Sequence, residues 1–515
     1  MEIAIIIFAA ILNAVLCLAA AKRLTHFLQQ NNYGVRAYFK NYRRNFFFIR
    51  YQYIAGVTGI LIFALFWFLL PRGGYGLFYL LGLIPYFIML AALAFVTLRV
   101  KTKKPLSATR RMKRLFATLF FLCLIFNLLS LIFLSLLAPL AAILNAPFEN
   151  KVNNGYIKAA KRKLEGMTGL VKIGITGSYG KTSVKLYLAE MLKAKYKVCA
   201  SPQSYNTPLG IARVINNTLK PDDEILIAEM GARHNGDIKF LCGMVKPSIG
   251  ILTAIGAQHL ETFKCIGNII AAKYELIENL CQGDAVPDTK TTAVFNCDSE
   301  YVKLLHERTC QRGVNRIISA GADKKNDVYY TVAGADAEGS AFSLYIGGEK
   351  LDCRTRLLGR HNIGNICAAA AAAHYLGVSG DEIAKAVSRL EPAVHRLQLL
   401  KGQGGITVID DAYNSNPSGA RAALDALAMF PGRKIIVTPG LVELGGAQYS
   451  ENRGLGTYIA ERADYCFAIG ENAAAIKDGF AGAVVCADLA EAQARLAQII
   501  KPGDTVLFEN DLPDI

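Results

Sequence analysis

The chain has 515 residues, 57 Lys and Arg against 41 Asp and Glu, and a formal net charge of +16. Residues 1–150 hold 16 of the basic groups and only two acids, Glu2 and Glu149, so +14 of the charge lies beside long apolar runs and marks an anionic membrane surface rather than nucleic acid. An apolar fraction of 53 % excludes a disordered chain, and twelve cysteines without a CxxC pair argue against a zinc ribbon or a disulfide scaffold and fit a reducing compartment.

Four stretches, 3–21, 51–71, 73–98 and 115–148, contain no Asp, Glu, Lys or Arg. Each reaches the ~20 residues that cross a bilayer. The first has no basic segment before it and is followed by Lys22 and Arg23, which reads as a retained anchor rather than a cleaved signal peptide. Lys22, Arg23, Arg36, Lys40, Arg43, Arg44 and Arg50 separate the first run from the second, and only Arg72 marks the link to the third. Arg99, Lys101, Lys103, Lys104, Arg110, Arg111, Lys113 and Arg114 separate the third from the fourth. The positive-inside rule assigns both basic loops to the cytoplasm. Four full crossings would then leave everything after residue 148 outside. The fourth run has 34 residues and contains Asn127, Ser130 and Pro139; as one helix it would be roughly 51 Å long against a hydrocarbon core of about 30 Å. It is expected to bend, re-enter or form a hairpin back to the inner face. The alternative is that residues 3–21 lie in the interface.

Residues 151–170 are basic and read as a linker helix on the inner surface. Beyond them, β-branched runs alternate with amphipathic stretches: VKIGIT (171–176), EILIAEM (224–230), SIGILTAIG (248–256), TAVFN (292–296), ITVIDDAY (406–413), KIIVTPG (434–440) and TVLFE (505–509). This alternation predicts α/β architecture with parallel sheets.

The run VKIGIT leads into Gly177-Ser178-Tyr179-Gly180-Lys181-Thr182-Ser183, followed by a helical pattern with Val184, Leu188 and Met191 on one side. Glycines let backbone N–H groups close around phosphate oxygens, and the helix N-terminus adds a favourable dipole. Gly177, Ser178, Gly180 and Ser183 would line that cradle, Lys181 would neutralise β/γ charge and Thr182 would ligate Mg²⁺. The first Gly of a GxxxxGK loop would fall at Ile175, so the loop is not a standard Walker A. Downstream, Glu229 ends a predicted strand, where a carboxylate points into the usual ligand crevice of an open α/β sheet. His259 and Glu261 follow another strand, and Lys273 lies 14 residues after His259 on an amphipathic helix. Taken singly, these three read equally as an exposed carboxylate, a solvated histidine and a surface lysine.

TGSYGKTS (176–183) resembles the phosphate loop of the Mur ligase family, T-G-x-x-G-K-[ST]-[ST]. The likeness is strongest to its D-alanyl-D-alanine-adding members. The resemblance implies ATP and Mg²⁺ as cofactors. It assigns Glu229 and His259, with Thr182, as metal ligands, and Lys273 as the lysine that the family carries as a carbamate, whose negative charge suits a second Mg²⁺. Lys181, His259 and Lys273 would be the catalytic set. Asn296 matches the position that meets adenine, and GRHNIGN (359–365) the helix start that supports the nucleotide, with His361, Asn362 and Asn365 as candidates. Arg396 in HRLQ matches the basic position at the start of the last domain. VIDDAYNSNPSGARAAL (408–424) resembles the family's strand–loop–helix signature, in which Asp411 would orient the ribose or a metal-bound water, and Tyr413, Asn414, Asn416 and Pro417 would shape the loop facing substrate.

The expected organisation is a membrane region (1–150), a linker helix (151–170), a central P-loop ATPase domain (171–395) and a C-terminal Rossmann-like α/β domain (396–515). The implied activity is a membrane-anchored, ATP-dependent amide ligase of peptidoglycan-precursor synthesis with cytoplasmic catalytic domains. It would form an acyl phosphate on a muramoyl peptide and add D-Ala-D-Ala. Its alternative adds another amine to a lipid-linked muropeptide or an anionic peptide polymer. Membrane lipids are expected partners and nucleic acid is not. A transport ATPase lacks support, because no ABC signature is present, and a catalytically dead scaffold would not need Lys181, Glu229, His259 and Lys273. Two departures bear on substrate. Only about twenty residues separate the last apolar run from the phosphate-loop strand, so the family's uridine-nucleotide domain is missing or replaced by the membrane part. The end of the chain, VLFENDLPDI, carries Glu509, Asp511 and Asp514 where the D-Ala-D-Ala-adding enzymes have a Lys-Gly-Ser type segment.

Overall fold

Helix dominates before residue 155 and alternating strand and helix after it, following the change of texture in the sequence. The structure, a computed structural model, describes residues 2–40, 46–69, 75–99, 106–202, 205–281, 291–310, 315–413 and 416–510. Arg43, Arg44, Arg72, Lys101, Lys103 and Lys104 of the basic loops lie outside the described residues, as do Asn414, Asp511 and Asp514. The chain divides into two compact units at Gly155.

The described part of the first unit is helical: α1 (Glu2–Ala20), α2 (Lys22–Gln30), α3 (Val35–Lys40), α4 (Phe46–Leu69), α5 (Tyr75–Arg99), α6 (Arg110–Phe126) and the first part of α7 (Ser130–Glu165). Residues 151–165 are the end of α7 rather than a separate helix. This unit has an apolar core that includes Leu24, Leu28, Leu90, Leu115 and Leu134, and it carries apolar residues on its surface as well. Ile3, Ile7, Phe8, Phe68 and Ile125 are exposed, whereas Asn13, Cys17 and Ser130 are fully buried. Among the described residues, two helical stretches are long and apolar enough to cross a membrane, Ile3–Ala20 and one within Arg110–Glu165.

The fourth apolar run is a helical hairpin. Arg114 grips Glu149 through two hydrogen bonds of 2.6 and 2.8 Å, and Thr118 pairs with Asn145 at 3.0 Å. Partners that climb along α6 descend along α7, so the two helices are antiparallel. The turn between them, Asn127–Leu129, breaks the helical ladder, with Asn127 at φ 42°. Backbone freed in this way needs partners where water is scarce. Asn13 Nδ2 donates to the Asn127 carbonyl at 2.8 Å and to Ser130 Oγ at 3.1 Å, and its Oδ1 accepts from the Tyr86 hydroxyl at 2.8 Å.

The second unit holds two sheets. The larger runs in the order β2 (Val198–Ala200), β3 (Ile225–Glu229), β1 (Val171–Thr176), β4 (Ile249–Leu252), β5 (Thr292–Asn296), β6 (Arg316–Gly321), β7 (Val328–Asp336), β8 (Gly339–Ile346), β9 (Glu349–Thr355). It is parallel from β2 to β7 and antiparallel through β8 and β9. The smaller has the order β10 (Gln398–Lys401), β11 (Thr407–Asp411), β15 (Thr505–Glu509), β12 (Lys434–Thr438), β13 (Tyr465–Ile469), β14 (Val484–Cys486), with only β10 antiparallel. Both sheets are therefore mixed, a correction to the parallel sheets expected from sequence. Of the missed antiparallel strands, β9 is polar on alternate positions and β10 is short and at an edge.

Continuous β-branched runs such as β1 are buried on both faces, as central parallel strands require. The connecting helices include α8 (Lys181–Leu192), α9 (Pro208–Asn217), α10 (Asp237–Val245), α11 (Leu260–Phe263) and α12 (Ile266–Cys281). Gly174 of β1 and Gly250 of β4 are cross-strand neighbours. A Cβ on Gly174 would come within 3.0 Å of Leu276, and one on Gly250 within 2.7 Å of Leu280. The two glycines thus let α12 press directly on the sheet.

Glu149 is buried and its charge is met by Arg114, which is partly exposed. Arg114→Met strands that carboxylate and is expected to destabilise the purified protein by about 2 kcal/mol in denaturant titration followed by helical circular dichroism. Replacing both partners by Met should recover most of the loss; a double variant no more stable than the single would contradict this account.

Candidate active site

The phosphate loop is built by close backbone approach. Gly177 and Gly180 have φ of 151° and 78°, and a Cβ on either would meet Thr253 Oγ1 at 2.1 Å or Asn365 Oδ1 at 2.5 Å. Ser178 N donates to the Ala254 carbonyl at 2.6 Å and Ser178 Oγ to the Gly256 carbonyl at 3.1 Å. Thr253 Oγ1 donates to the Tyr179 carbonyl. The loop is thereby stapled to the segment that leads from β4 to His259. Lys181 Nζ donates to the carbonyls of Gly177 and Ser178 at 2.8 and 2.9 Å. Burial, reinforced by the Arg396 charge and opposed by Glu229, brings its pKa down to about 8.

Beneath the loop, Glu229 ends β3 fully buried. Thr182 Oγ1 and Lys185 Nζ both donate to its Oε2 at 3.0 Å, and Asn206 Nδ2 donates to Oε1 at 3.2 Å. Burial alone would raise the pKa of this carboxyl, but the charges of Lys185 and Lys181 outweigh it and hold it below the ordinary value. Ser183, one residue on, is buried against the Tyr187 hydroxyl. Sequence reading missed Lys185 and Asn206. Lys185 follows Lys181 by one helical turn, a spacing that could have flagged it. Asn206 lies in a loop without a periodic signal.

Lys273 on α12 is buried, with its Nζ 3.4 Å from the Ala232 carbonyl and 5.7 Å from the Phe263 ring centre. Burial first, and then the charge of Lys181, brings its pKa down to about 7. His259, at φ 54°, is hydrogen-bonded through Nδ1 to Glu443 Oε2. Among the described residues no group of three or more His, Cys, Asp and Glu side chains converges as a metal-ligand set. The structure brings together Thr182 and Glu229 of the expected ligands, while His259 faces Glu443.

The remaining candidates separate by role. Asn296 ends β5, its Oδ1 accepting from Asp298 N at 3.3 Å. Asn362 accepts from the Tyr187 hydroxyl at 3.0 Å and donates to the Leu358 carbonyl at 2.8 Å, so both ends of its amide fasten helix α14 (Arg360–Tyr375, which follows α13, Glu300–Cys310) to its surroundings. Asn365, one turn later, is the residue that faces Gly180. Burial and the Arg396 charge lower the pKa of His361 to about 4. Arg396 stacks over the Tyr413 ring with 4.8 Å to its centre and is within electrostatic reach of Lys181 and Lys185. Asn416 caps α16 (Pro417–Ala428, following α15, Gly380–Ser388) by accepting from Gly419 N at 2.8 Å. Its Oδ1 thus caps a helix start. Asp411 accepts from Leu397 N at 3.0 Å and is paired in register with Glu509, which is buried and accepts from Thr438 Oγ1 at 2.5 Å.

Two Mur ligase domain families match the chain: the Mur ligase middle domain over residues 175–373 and the Mur ligase glutamate ligase domain over 395–509. The UDP-N-acetylmuramoyl-tripeptide–D-alanyl-D-alanine ligase of Mycobacterium tuberculosis is 35 % identical over 262 residues, 50 % of this chain and 49 % of its own. The ligase of the same name from Mycobacterium leprae is 30 % identical over 384 residues, 66 % of this chain and 71 % of its own. A crystal structure of MurF from Acinetobacter baumannii superposes with a TM-score of 0.64 at 26 % identity, over 70 % of this chain and 77 % of that one. The chain spans about half the length of the curated relatives it matches at 35 % identity.

Burial, followed by the negative charge of Glu509, pushes the pKa of Asp411 up to about 8. Its unfolded value is near 4. The folded chain therefore holds a proton that the unfolded chain releases, and stability falls as pH rises from about 4 to about 8, then levels off. Asp411→Asn removes that loss. Its gain in thermal midpoint over wild type should be small at pH 5 and greatest at pH 8 and above; an equal gain at pH 5 and pH 9 would refute the assignment.

Proposed function

The chain belongs to the Mur ligase family, and on that premise we propose that it is a membrane-anchored, ATP-dependent amide ligase that adds D-Ala-D-Ala to a muramoyl peptide. The observation that carries this reading is the convergence of Thr182, Lys185 and Asn206 on the buried Glu229 beneath the phosphate loop. A loop of this kind cradles polyphosphate. Lys181 leaves its two loop carbonyls to meet β/γ oxygens, and Arg396 brings a second cation from the following domain. The work is positioning and charge neutralisation. A substrate carboxylate attacks the γ-phosphorus, ADP leaves, and an acyl phosphate forms. The amine lone pair then attacks the acyl carbon, a C–N bond forms, phosphate departs with the C–O pair, and the amine proton passes to solvent.

Thr182 hydroxyl and Glu229 carboxylate are hard oxygen donors 3.0 Å apart and fit Mg²⁺; the family resemblance, not a contact in the structure, adds His259 as a further ligand. Mg²⁺ at that place would neutralise phosphate oxygens. Lys273 as an amine does not fit a cation. With a pKa of about 7, a large fraction is unprotonated at neutral pH. Such an amine can add CO₂, losing a proton to become a carbamate anion that does fit.

For the anchor, we favour three crossings, α1, α4 and α5, and a re-entrant hairpin of α6 and α7. Asn127 lies 13 residues beyond Arg114, about 20 Å of helix against a core of about 30 Å. Its partner Asn13 lies nine residues before Lys22, about 14 Å along α1. Both estimates support a tip near mid-depth. With the basic loops inside, this topology leaves the second unit in the cytoplasm, where ATP is.

ADP release by the detergent-purified chain should require both a muramoyl-peptide carboxylate, UDP-linked or lipid-linked, and an amine, with D-Ala-D-Ala compared against other amino acids and ammonia. Substrate-independent hydrolysis, or none, would sink the ligase reading. Lys181→Ala is expected to lose at least ~100-fold in kcat. Lys273→Ala should be inactive and unresponsive to bicarbonate while wild type responds; an unaffected variant would end the carbamate proposal.

A further inference from the structure

Glu443 lies 184 residues from His259 and was not expected at the site. It belongs to the segment after β12 in the smaller-sheet domain, between Thr438 and the turn Gly445–Ala447. That segment is held firmly. Leu441 N donates to Asn452 Oδ1 at 2.7 Å, Gly440 N to Thr438 Oγ1 at 2.9 Å, and Asn510 Nδ2 to the Gly440 carbonyl at 2.7 Å. Opposite it, the turn His259–Glu261 of the larger-sheet domain makes three contacts with this segment or its domain. His259 Nδ1 is hydrogen-bonded to Glu443 Oε2. Glu261 N donates to the Glu443 carbonyl at 3.3 Å. Leu260 packs on the core of the smaller-sheet domain.

The two facing residues share a further property. His259 has φ 54° and Glu443 φ 61°, both in the left-handed region. Neither is glycine, and such conformations persist where surrounding structure enforces them. Here the two left-handed residues face each other across the contact. A carboxylate that accepts from Nδ1–H also fixes the imidazole tautomer, leaving Nε2 with its lone pair free.

We infer that Glu443 is a positioning residue that orients His259 for metal binding only when the smaller-sheet domain is docked, so that domain closure and assembly of the metal site are one event. The inference rests on the ligase reading for the identity of the metal, but the contact itself stands on geometry. The substrate-bearing domain would then complete the metal site as it arrives, and ATP would not be activated before the amine-binding domain is in place.

Amide hydrogen exchange on the full-length chain in detergent tests the contact without turnover. Glu443→Ala should speed exchange about tenfold in both 257–263 and 441–447, and the effect should vanish in a His259→Ala background, because the partners act as a pair. Glu443→Gln, which still accepts from Nδ1–H, should restore most of the protection. In the ADP-release assay, Glu443→Ala should raise the Mg²⁺ concentration for half-maximal rate about 10-fold or more, with the ATP dependence at saturating Mg²⁺ little changed. Unchanged exchange in Glu443→Ala, or faster exchange that is additive with His259→Ala, overturns the contact. Faster exchange with an unchanged Mg²⁺ requirement overturns the coupling to metal. A wild-type chain inactive with every substrate would instead count against the ligase reading, and the exchange result would still decide the contact.

Discussion

A carboxylate withheld from water governs the second unit. Glu229 ends a central strand fully buried, and a buried ion survives only with partners. Those partners come from different places: Thr182 and Lys185 from the first turns of α8, and Asn206 from the loop before α9. Satisfying one charge therefore fixes the start of the helix under the phosphate loop and a loop beyond the neighbouring strand. The glycines that allow the loop to close, Gly177 and Gly180, would be of little use if α8 were free to shift. Lys185 does double duty, neutralising the carboxylate and leaving Lys181 free of it.

The first unit encloses polar groups within an apolar core. Leu24, Leu28, Leu90, Leu115 and Leu134 are buried together with Asn13, Cys17 and Ser130, so those amide and hydroxyl groups are satisfied inside the helix bundle. Asn13 is the centre of that arrangement. It accepts from Tyr86 and donates to the broken turn at Asn127, joining three helices through one amide.

Much of this was legible in the sequence where the signal is local. The runs VKIGIT, EILIAEM, SIGILTAIG, TAVFN, ITVIDDAY, KIIVTPG and TVLFE all contain strands of the two sheets, because strands buried on both faces must be continuously apolar. The phosphate loop was legible because its glycines, lysine and helix are contiguous. The antiparallel strands β8 and β9 were not; in β9 exposed and buried positions alternate, which dilutes the pattern. Lys185 was not singled out, because only the fold brings a carboxylate under it. Glu443 lies in TPGLVELG (438–445), which resembles a family strand end, but nothing local pointed to His259, because that partner is in another domain. Conversely, Asn362 and Asn416 stood out as polar residues in motif-like surroundings, and the fold gives each a part in holding a helix in place. Polar side chains near a site do not declare from sequence whether they serve the ligand or the scaffold.

The pair Gly174 and Gly250 carries a different lesson. By offering no side chain, these two positions set how low α12 rides over the sheet, and α12 carries Lys273 one turn before the leucine that touches both. The height of the lysine is thus fixed by an omission. Two hydrogens in the middle of a sheet act as a gauge for a functional group that neither of them meets, so the permitted sequence at these positions is constrained by chemistry at a distance rather than by any need of the strands themselves.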